Sequence, residues 1–361
     1  MIVTMLTPRY HPDIGGVEKH VKKISERLSK KGHKVIILTS KSDLTTCSKE
    51  IVGSVEIYRI RKNIFLKYID LIRYMNIIRK SDIIHCHDFS TFIFWYIPYL
   101  LIFPKKPVYI TFHGYEGKIP IPRVTKLLRK ITEKLTYGNI CVGKYIQKWY
   151  DTTPNFITYG GVDYKKINTS PNHKKKHQAV FVGRLETDTG ILTYIEALRI
   201  LKEKYGSEIE LHICGDGTLK DHISKTIAKY GINAILHGLI RNPETHYNKA
   251  RYAFVSGYLA ILEAMSSGCI VCSVYENNLK KDYLYSLSIP KSAMIIARSP
   301  DELADKLIEC INNPKDVKKR SSLGQQYAKK QTWEKVVDKY ILLWRSHHGK
   351  QKDIAYNNFE K

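Results

Sequence analysis

Tyr252-Ala253-Phe254-Val255-Ser256-Gly257-Tyr258-Leu259-Ala260-Ile261-Leu262-Glu263-Ala264-Met265-Ser266-Ser267-Gly268 is the stretch whose reading decides the fold. It holds an apolar run, a turn built on Gly257 and a helix-forming segment that stops before Gly268. Helix N-termini expose backbone N–H groups at the positive end of the helix dipole and so hold phosphate well. Glu263, further into the same helix, can accept hydrogen bonds from sugar hydroxyls. Phosphate donors beside a hydroxyl acceptor describe a nucleotide-sugar site. The plain alternative is a capped helix with one solvated glutamate.

Two further segments repeat the pattern. Residues 2–6 lead to Asp13-Ile14-Gly15-Gly16-Val17-Glu18-Lys19-His20, where paired glycines meet a helix start. Residues 179–182 lead to Gly183-Arg184-Leu185-Glu186-Thr187-Asp188-Thr189-Gly190-Ile191. None is a strict G-x-G-x-x-G, so a dinucleotide fingerprint is not present.

Working outward, short apolar runs alternate with helix-period segments, which argues for doubly wound parallel sheets. Strands are expected at residues 2–6, 35–39, 83–86, 108–112 and 139–142, then at 179–182, 210–214, 234–236, 252–255 and 270–273. Residues 191–205 repeat Ile191, Tyr194, Ile195, Leu198, Leu201 and Tyr205 at helical spacing. The polar, lysine-rich stretch 170–177 reads as an interdomain linker.

A chain of 361 residues suits two domains. Hydrophobic residues make up 43%, enough for two cores. The net charge of +25 is uneven: residues 1–168 carry 29 basic and 13 acidic side chains. Nucleic acid, anionic lipid and phosphorylated substrates all attract such a chain. No basic–aromatic RNA motif, zinc finger or helix-turn-helix pattern is present, which argues against nucleic acid. The seven cysteines are scattered, and Cys269-x-x-Cys272 lies in a buried-strand pattern, as expected of a chain kept reduced. The chain enters a strand at once and reaches Pro8-Arg9, so no signal peptide is expected. The longest apolar run, residues 91–103, contains Pro98 and is shorter than the ~20 residues of a spanning helix. It reads as a buried helix, with a membrane-dipping edge as the sharper alternative.

The motifs together resemble a retaining glycosyltransferase of family 4 (glycosyltransferase group 1). The resemblance rests on residues 12–20, Gly32-His33-Lys34-Val35, His85-Cys86-His87-Asp88, Thr111-Phe112-His113-Gly114, Tyr159-Gly160-Gly161-Val162-Asp163, Gly183-Arg184-Leu185, Gly215-Asp216-Gly217 and Leu262-Glu263-Ala264-Met265, in the family's order. It implies the α/β GT-B fold, two Rossmann-like doubly wound domains facing across a cleft. The expected divisions are an acceptor-side domain at 1–170, a nucleotide-sugar-binding domain at 171–335, and a C-terminal helix at 336–349 returning to the first domain. Two positions depart from the pattern. Thr189 stands where the family has a lysine that grips the donor diphosphate, and Val255 where it has a glutamate that touches the transferred sugar.

By resemblance, His113 and Glu263 are the catalytic candidates. Donor contacts fall to Gly15, Gly16, Arg184, Thr189, Gly215, Gly217, Ser256, Gly257, Tyr258, Leu259 and Glu263. Arg184, at a strand end, can fork two phosphate oxygens. His85, His87 and Asp88 could be imagined around a metal, but no further ligand cluster joins them, and the resembled enzymes need none. No cofactor is expected: the nucleoside-diphosphate sugar is a substrate. Retention is also implied by the resemblance, with the acceptor attacking on the leaving-group face.

Two helices in the more basic half, 123–135 and 65–80, pair an apolar stripe with basic residues. Each suits a core face with a solvated face, or an anionic membrane surface. The pair favours peripheral membrane contact, so the expected location is cytoplasmic, on the inner membrane face. The leading function is transfer of a sugar from a nucleotide sugar to a lipid-linked or glycan acceptor, by a hexosyltransferase-type enzyme (EC 2.4). A non-catalytic nucleotide-sugar-binding or scaffold subunit, and a GT-B-like sugar-nucleotide epimerase, are the competing readings.

Overall fold

The structure is a computed structural model that describes residues 1–42, 47–114, 119–163 and 174–346. It divides into two units: one of Met1–Thr158 with Trp333–Lys361, the other Tyr159–Thr332. This differs from the divisions read at 170/171 and 335/336. The reason is visible at the junction: Val162 N–H donates to the Gln331 carbonyl at 2.9 Å, and Val162 bridges Thr332. Residues 159–163 therefore belong with the second unit. Of the expected linker, 170–173 lie outside the described residues, while Lys175 to His177 are already strand.

The first unit runs β1 (Ile2–Thr7), α1 (Gly16–Lys30), β2 (Lys34–Ser40), β3 (Lys49–Val52), β4 (Val55–Ile60), α2 (Ile64–Arg73), α3 (Met75–Lys80), β5 (Ile83–His87), α4 (Phe89–Thr91), a π turn at Phe92–Tyr96, α5 (Ile97–Ile102), β6 (Val108–Phe112), α6 (Arg123–Leu135), β7 (Gly138–Val142), α7 (Tyr145–Tyr150) and β8 (Phe156–Thr158). Its sheet has the order β3-β4-β2-β1-β5-β6-β7-β8 and is parallel except for the β3–β4 hairpin. Strands β5 and β6 are buried along their whole length, as expected for strands covered on both faces.

The second unit runs β9 (Lys175–Val182), α8 (Ile191–Tyr205), β10 (Glu210–Cys214), α9 (Lys220–Tyr230), β11 (Ala234–Gly238), α10 (Glu244–Lys249), β12 (Ala250–Phe254), α11 (Tyr258–Ser266), β13 (Ile270–Val274), α12 (Asn278–Tyr285), β14 (Met294–Ala297), α13 (Pro300–Ile311) and α14 (Pro314–Lys330). Its sheet is wholly parallel, β11-β10-β9-β12-β13-β14. A core of Phe181, Tyr194, Leu198, Ile213, Phe254 and Leu307, among others, fills the space between sheet and helices. Helix α8 starts at Gly190 and stops at Gly206, both left-handed (φ +80° and +62°).

The last helix, α15 (Trp333–Arg345), belongs to the first unit. It lies along α1 through Arg27–Glu334 and Lys31–Asp338 ion pairs of 3.1 and 3.2 Å, with Trp333 and Trp344 fully buried. It starts three residues before the expected 336, and positions 347–349 lie outside the described residues. Strands β3, β4, β8 and β14 were absent from the sequence reading, and β12 ends at Phe254, leaving Val255 just past the strand.

Candidate functional site

In the second unit the expected donor residues gather at the carboxyl ends of the strands, where α/β sheets hold ligands. The loop after β9 and the loop after β10 are zipped together by backbone. Gly183 N–H donates to the Cys214 carbonyl (3.2 Å), Leu185 N–H to Asp216 (2.9 Å) and Leu219 N–H to Leu185 (3.0 Å). A Cβ at Gly215 would fall 1.8 Å from the Gly183 carbonyl oxygen, and one at Gly217 2.5 Å from that of Leu185. Both glycines are therefore required by the close approach of two backbones. Glu186 clamps the same junction, accepting from Thr218 N–H (3.0 Å) and Oγ1 (2.7 Å).

Arg184 extends from this loop, 68% exposed, and pairs with Asp188 at 2.8 Å. Thr189 is buried and donates its hydroxyl to the Glu186 carbonyl at 2.7 Å. Its proton is thus spent within the turn, and Thr189 offers no charge in place of a lysine. Val255 is fully buried, its carbonyl accepting from Ser273 Oγ at 2.6 Å. No acceptor side chain exists at that position.

Helix α11 begins at Tyr258 with Gly257 exposed ahead of it. Its first intrahelical bond runs from Ile261 N–H to the Gly257 carbonyl at 2.9 Å. The N–H groups of Leu259 and Ala260 precede that bond. The Tyr258 N–H is already committed: it donates to the Tyr283 phenol oxygen at 2.9 Å, and the two tyrosine rings stack 3.8 Å apart. Of the turn 256–259, Tyr258 therefore serves the protein through its backbone. Glu263 is half-buried on α11, and its charge adds to burial in pushing the Tyr247 phenol upward.

One residue of this neighbourhood escaped the sequence reading. Lys280 on α12 is buried, donates to the Ser256 carbonyl at 2.9 Å, and lies 4.4 Å from the Tyr283 ring centroid. Burial drives its pKa down to about 8, with Asp188 opposing and Arg184 adding to the shift. No periodicity tells Lys280 from its neighbour Lys281 as the buried lysine of this short helix.

In the first unit, β5 and β6 deliver His85, His87 and His113 into one buried polar network with α1 and α15. His87 Nδ1 and His113 Nε2 are 2.9 Å apart, and the His113 N–H donates to Asp88 Oδ1 at 2.9 Å. The Tyr340 hydroxyl meets His20 Nε2 at 3.0 Å and Thr111 Oγ1 at 2.7 Å; Thr111 in turn meets His85 Nε2 at 2.8 Å. Trp344 Nε1–H donates to His85 Nδ1 at 3.1 Å. Burial, and then neighbouring histidines, hold His20, His85 and His87 well below their ordinary pKa. His113 is brought down to about 3, chiefly by burial and then by the Arg129 guanidinium. All four rings are neutral at neutral pH, so His113 acts as a hydrogen-bonding group rather than a cation. Gly114 (φ +111°) leaves room for the Tyr145 hydroxyl, which a Cβ would meet at 1.8 Å.

At α1, Gly15 leaves room for Glu18: a Cβ there would lie 2.2 Å from the Glu18 carboxylate. That carboxylate turns back on its own N–H, and burial raises its pKa. The helix start is thus partly self-capped, while Gly16 faces open space.

His85, His87 and Asp88 do not form a metal set. Among the described residues the converging set is His212, His237 and His246, on β10, β11 and α10. There Gln178 Nε2, which also donates to Glu210 at 2.7 Å, meets His212 Nε2 at 2.8 Å. An amide N–H donating there leaves the proton on His212 Nδ1, which donates to His237 Nε2 at 2.8 Å. His212 and His237 are thus hydrogen-bonded to each other, and the His246 ring packs against both, with centroids 5.6 and 4.5 Å away. A 490 Å³ cavity lined by Leu284, Ile289, Met294, Lys306, Cys310 and Arg320 includes no residue of the loops after β9, β10 or β12.

Helix α6 does not pack its apolar stripe against the core, the first of the two packings its sequence allows. Val124, Leu127, Ile131 and Leu135 are exposed, while Arg129, Thr132 and Glu133 are buried. The Arg129 guanidinium sits over the rings of Tyr150 (4.0 Å), Phe112 (5.2 Å) and Phe89 (5.6 Å). Helix α2 likewise exposes Ile64, Phe65, Ile69 and Ile72, and α5 exposes Leu101 and Ile102. The run 91–103 is thus not a buried helix throughout: Phe92, Trp95, Tyr96 and Tyr99 are buried and its end is not. Tyr99 joins α5 to α2 by donating to the Leu71 carbonyl. Among the described residues no helix is long and apolar enough to cross a membrane.

Two doubly wound α/β units with glycine turns at their strand ends define a two-domain GT-B protein. Residues 14–165 match the model of glycosyltransferase family 4, and residues 163–331 that of the glycosyl transferases group 1. The chain belongs to the group 1 glycosyltransferases, a family of glycosyl-transferring enzymes. It is 24% identical over 267 residues to an uncharacterized glycosyltransferase, MJ1607, of Methanocaldococcus jannaschii, covering 64% of this chain and 67% of that one. It is 22% identical over 193 residues to GalNAc-alpha-(1->4)-GalNAc-alpha-(1->3)-diNAcBac-PP-undecaprenol alpha-1,4-N-acetyl-D-galactosaminyltransferase of Campylobacter jejuni, covering 49% of this chain and 51% of that relative. Among solved structures, Anabaena Alr3699/HepE in complex with UDP-glucose superposes with a TM-score of 0.76 at 12% identity, over 95% of this chain and 98% of that one.

Proposed function

We propose that this chain transfers a hexosyl group, with retention, from a nucleoside-diphosphate sugar to a lipid-linked sugar or glycan acceptor at an anionic membrane surface. The observation that carries the donor half is the zipped loop pair after β9 and β10, which holds Arg184 beside the strand end leading to α11 and Glu263. The anomeric C–O bond to the diphosphate breaks, and the acceptor hydroxyl forms the new C–O bond on the same face. Its proton passes to the departing phosphate oxygen. Charge grows on the diphosphate, so a cation and N–H dipoles aimed there lower the barrier. Glu263 anchors the ribose. His113, being neutral, supports the reacting sugar by hydrogen bonding. No step needs a cofactor or a metal.

The acceptor half rests on the outward apolar face of α6, bordered by Arg123, Lys126 and Lys134. Apolar insertion together with lysines over anionic headgroups is the chemistry of an interfacial helix. The Campylobacter jejuni relative, whose name carries an undecaprenol-linked acceptor, supports the same reading. A second reading has its own observation: Val255 and Thr189 offer no ligand groups, which suits a subunit that binds nucleotide sugar without turnover. A panel of UDP-, GDP- and ADP-sugars, incubated with a polyprenyl-diphosphate-linked sugar on vesicles, separates the two. Transfer from one of them supports the enzyme, and binding without turnover of any supports the subunit.

A further inference from the structure

We propose that Lys280 is the second cation of the diphosphate subsite, a reading that rests on the donor assignment above. An ammonium carries three N–H donors. Lys280 spends one on the Ser256 carbonyl, 2.9 Å away, and among the described residues no second acceptor is within hydrogen-bond distance. The side chain is 7% exposed, so water does not freely satisfy the other two. A buried charge without hydrogen-bonding partners is costly. Two carboxylates act on it from outside hydrogen-bond distance, Asp188 and Glu276, and Asp188 is already held by Arg184 at 2.8 Å. The Lys280 ammonium is therefore a fixed positive group with two N–H donors unspent on protein acceptors among the described residues.

Its placement says which anion. The Ser256 carbonyl pins the ammonium to the turn that opens α11, where the Leu259 and Ala260 N–H groups face the same end of the helix. Tyr283 supports it twice: its ring lies 4.4 Å from the ammonium, and its hydroxyl holds the Tyr258 N–H. Arg184 acts on Lys280 from the loop after β9. Two cations from different elements beside a helix start, Arg184 in a loop and Lys280 on α12, fit two linked phosphoryl groups better than one carboxylate. A lysine from α12 thereby supplies the charge that Thr189 lacks.

Burial has left this lysine with a pKa of about 8. An anion bound to it favours the protonated form, so affinity must fall as pH rises through 8 and beyond. The terminal phosphate of a nucleoside diphosphate ionises at about pH 6, below that window; inorganic pyrophosphate loses its last proton within it, so the pH slope is read from the nucleotides.

The test is calorimetry with UDP, GDP, ADP and inorganic pyrophosphate on wild type, Lys280→Met and Lys280→Arg at pH 7 and pH 9, each variant's folding checked by thermal melting. Wild type should lose about tenfold in affinity between the two pH values. Lys280→Met should bind at least tenfold more weakly at pH 7 and show no such slope. Lys280→Arg should bind at both pH values, because its charge does not titrate there. Equal affinity and equal slope in wild type and Lys280→Met overturn the proposal. Should the methionine variant not fold, an unchanged slope in Lys280→Arg overturns it equally. If pyrophosphate binds through Lys280 and no nucleotide does, the anion subsite stands and the nucleotide-sugar reading falls. If neither binds, both fall.

Discussion

At the residue scale, two positions separate chemistry from architecture. His113 is neutral, half-buried and anchored by its own backbone N–H to Asp88. Replacing it with alanine should lower turnover by ten- to a hundredfold while leaving donor affinity nearly unchanged, as expected of a group acting in the transition state. An unchanged turnover number would leave it a strand-end residue. Val255 points the other way. Its side chain is fully buried, so Val255→Glu would bury an unpaired carboxylate rather than restore a sugar contact. That change should cost about 3–5 kcal/mol of stability, read by thermal or chemical unfolding. A stable Val255→Glu protein with higher turnover would show that the position still addresses substrate.

At the element scale, helix α6 carries the acceptor-side claim. The sequence shows an apolar stripe and a basic stripe but not which of them faces the sheet. The structure turns the stripe inside out, because Arg129 finds three aromatic rings and the Gly114 carbonyl inside. Lys130 is tied to Asp151, so the basic border without an ion pair among the described residues is Arg123, Lys126 and Lys134. Lys126→Glu with Lys134→Glu should reduce co-sedimentation with phosphatidylserine vesicles at least tenfold, and Leu127→Ser should act in the same direction. Wild-type binding should weaken with salt. Binding that ignores all three substitutions would make α6 a solvated face.

The same scale shows what could be read in advance. Strands β1, β2, β6 and β13 were legible as largely apolar runs, and β5, β9 and β10 from shorter apolar stretches within them. Strands β3 and β4 were not, since an edge hairpin alternates and carries Lys49, Glu50, Glu56 and Arg59. Strand β14 is four residues long and β8 three, too short for a pattern. The placing of Arg184 after β9 and of Glu263 on α11 was legible from their motifs. Lys280 was not, because its value lies in a carbonyl and a ring brought from elsewhere in the chain.

At the scale of the whole molecule, the buried histidines make the first unit sensitive to acid. His20, His85, His87 and His113 all have pKa values below that of the unfolded chain, ~6.5. Below that pH the unfolded chain binds protons that the folded unit excludes, so stability falls with pH. Each histidine contributes up to about 1.4 kcal/mol per pH unit until its folded pKa is reached. All four tryptophans, at 95, 149, 333 and 344, lie in the first unit, so their fluorescence reports it alone. The melting midpoint by tryptophan fluorescence should drop steeply between pH 6.5 and 5, and a flat profile would contradict the neutral network.

The most direct test of the donor assignment is calorimetry of the true nucleotide-sugar donor, or its nucleoside diphosphate, with wild type and Glu263→Gln. The substitution keeps shape and removes the charge-assisted hydrogen bonds to ribose, worth about 1.5–3 kcal/mol. The expected result is a ten- to hundredfold loss of affinity with the fold intact. Equal affinity in the two proteins would contradict it: Glu263 would not hold the ribose, and the loops after β9, β10 and β12 would not be the donor site.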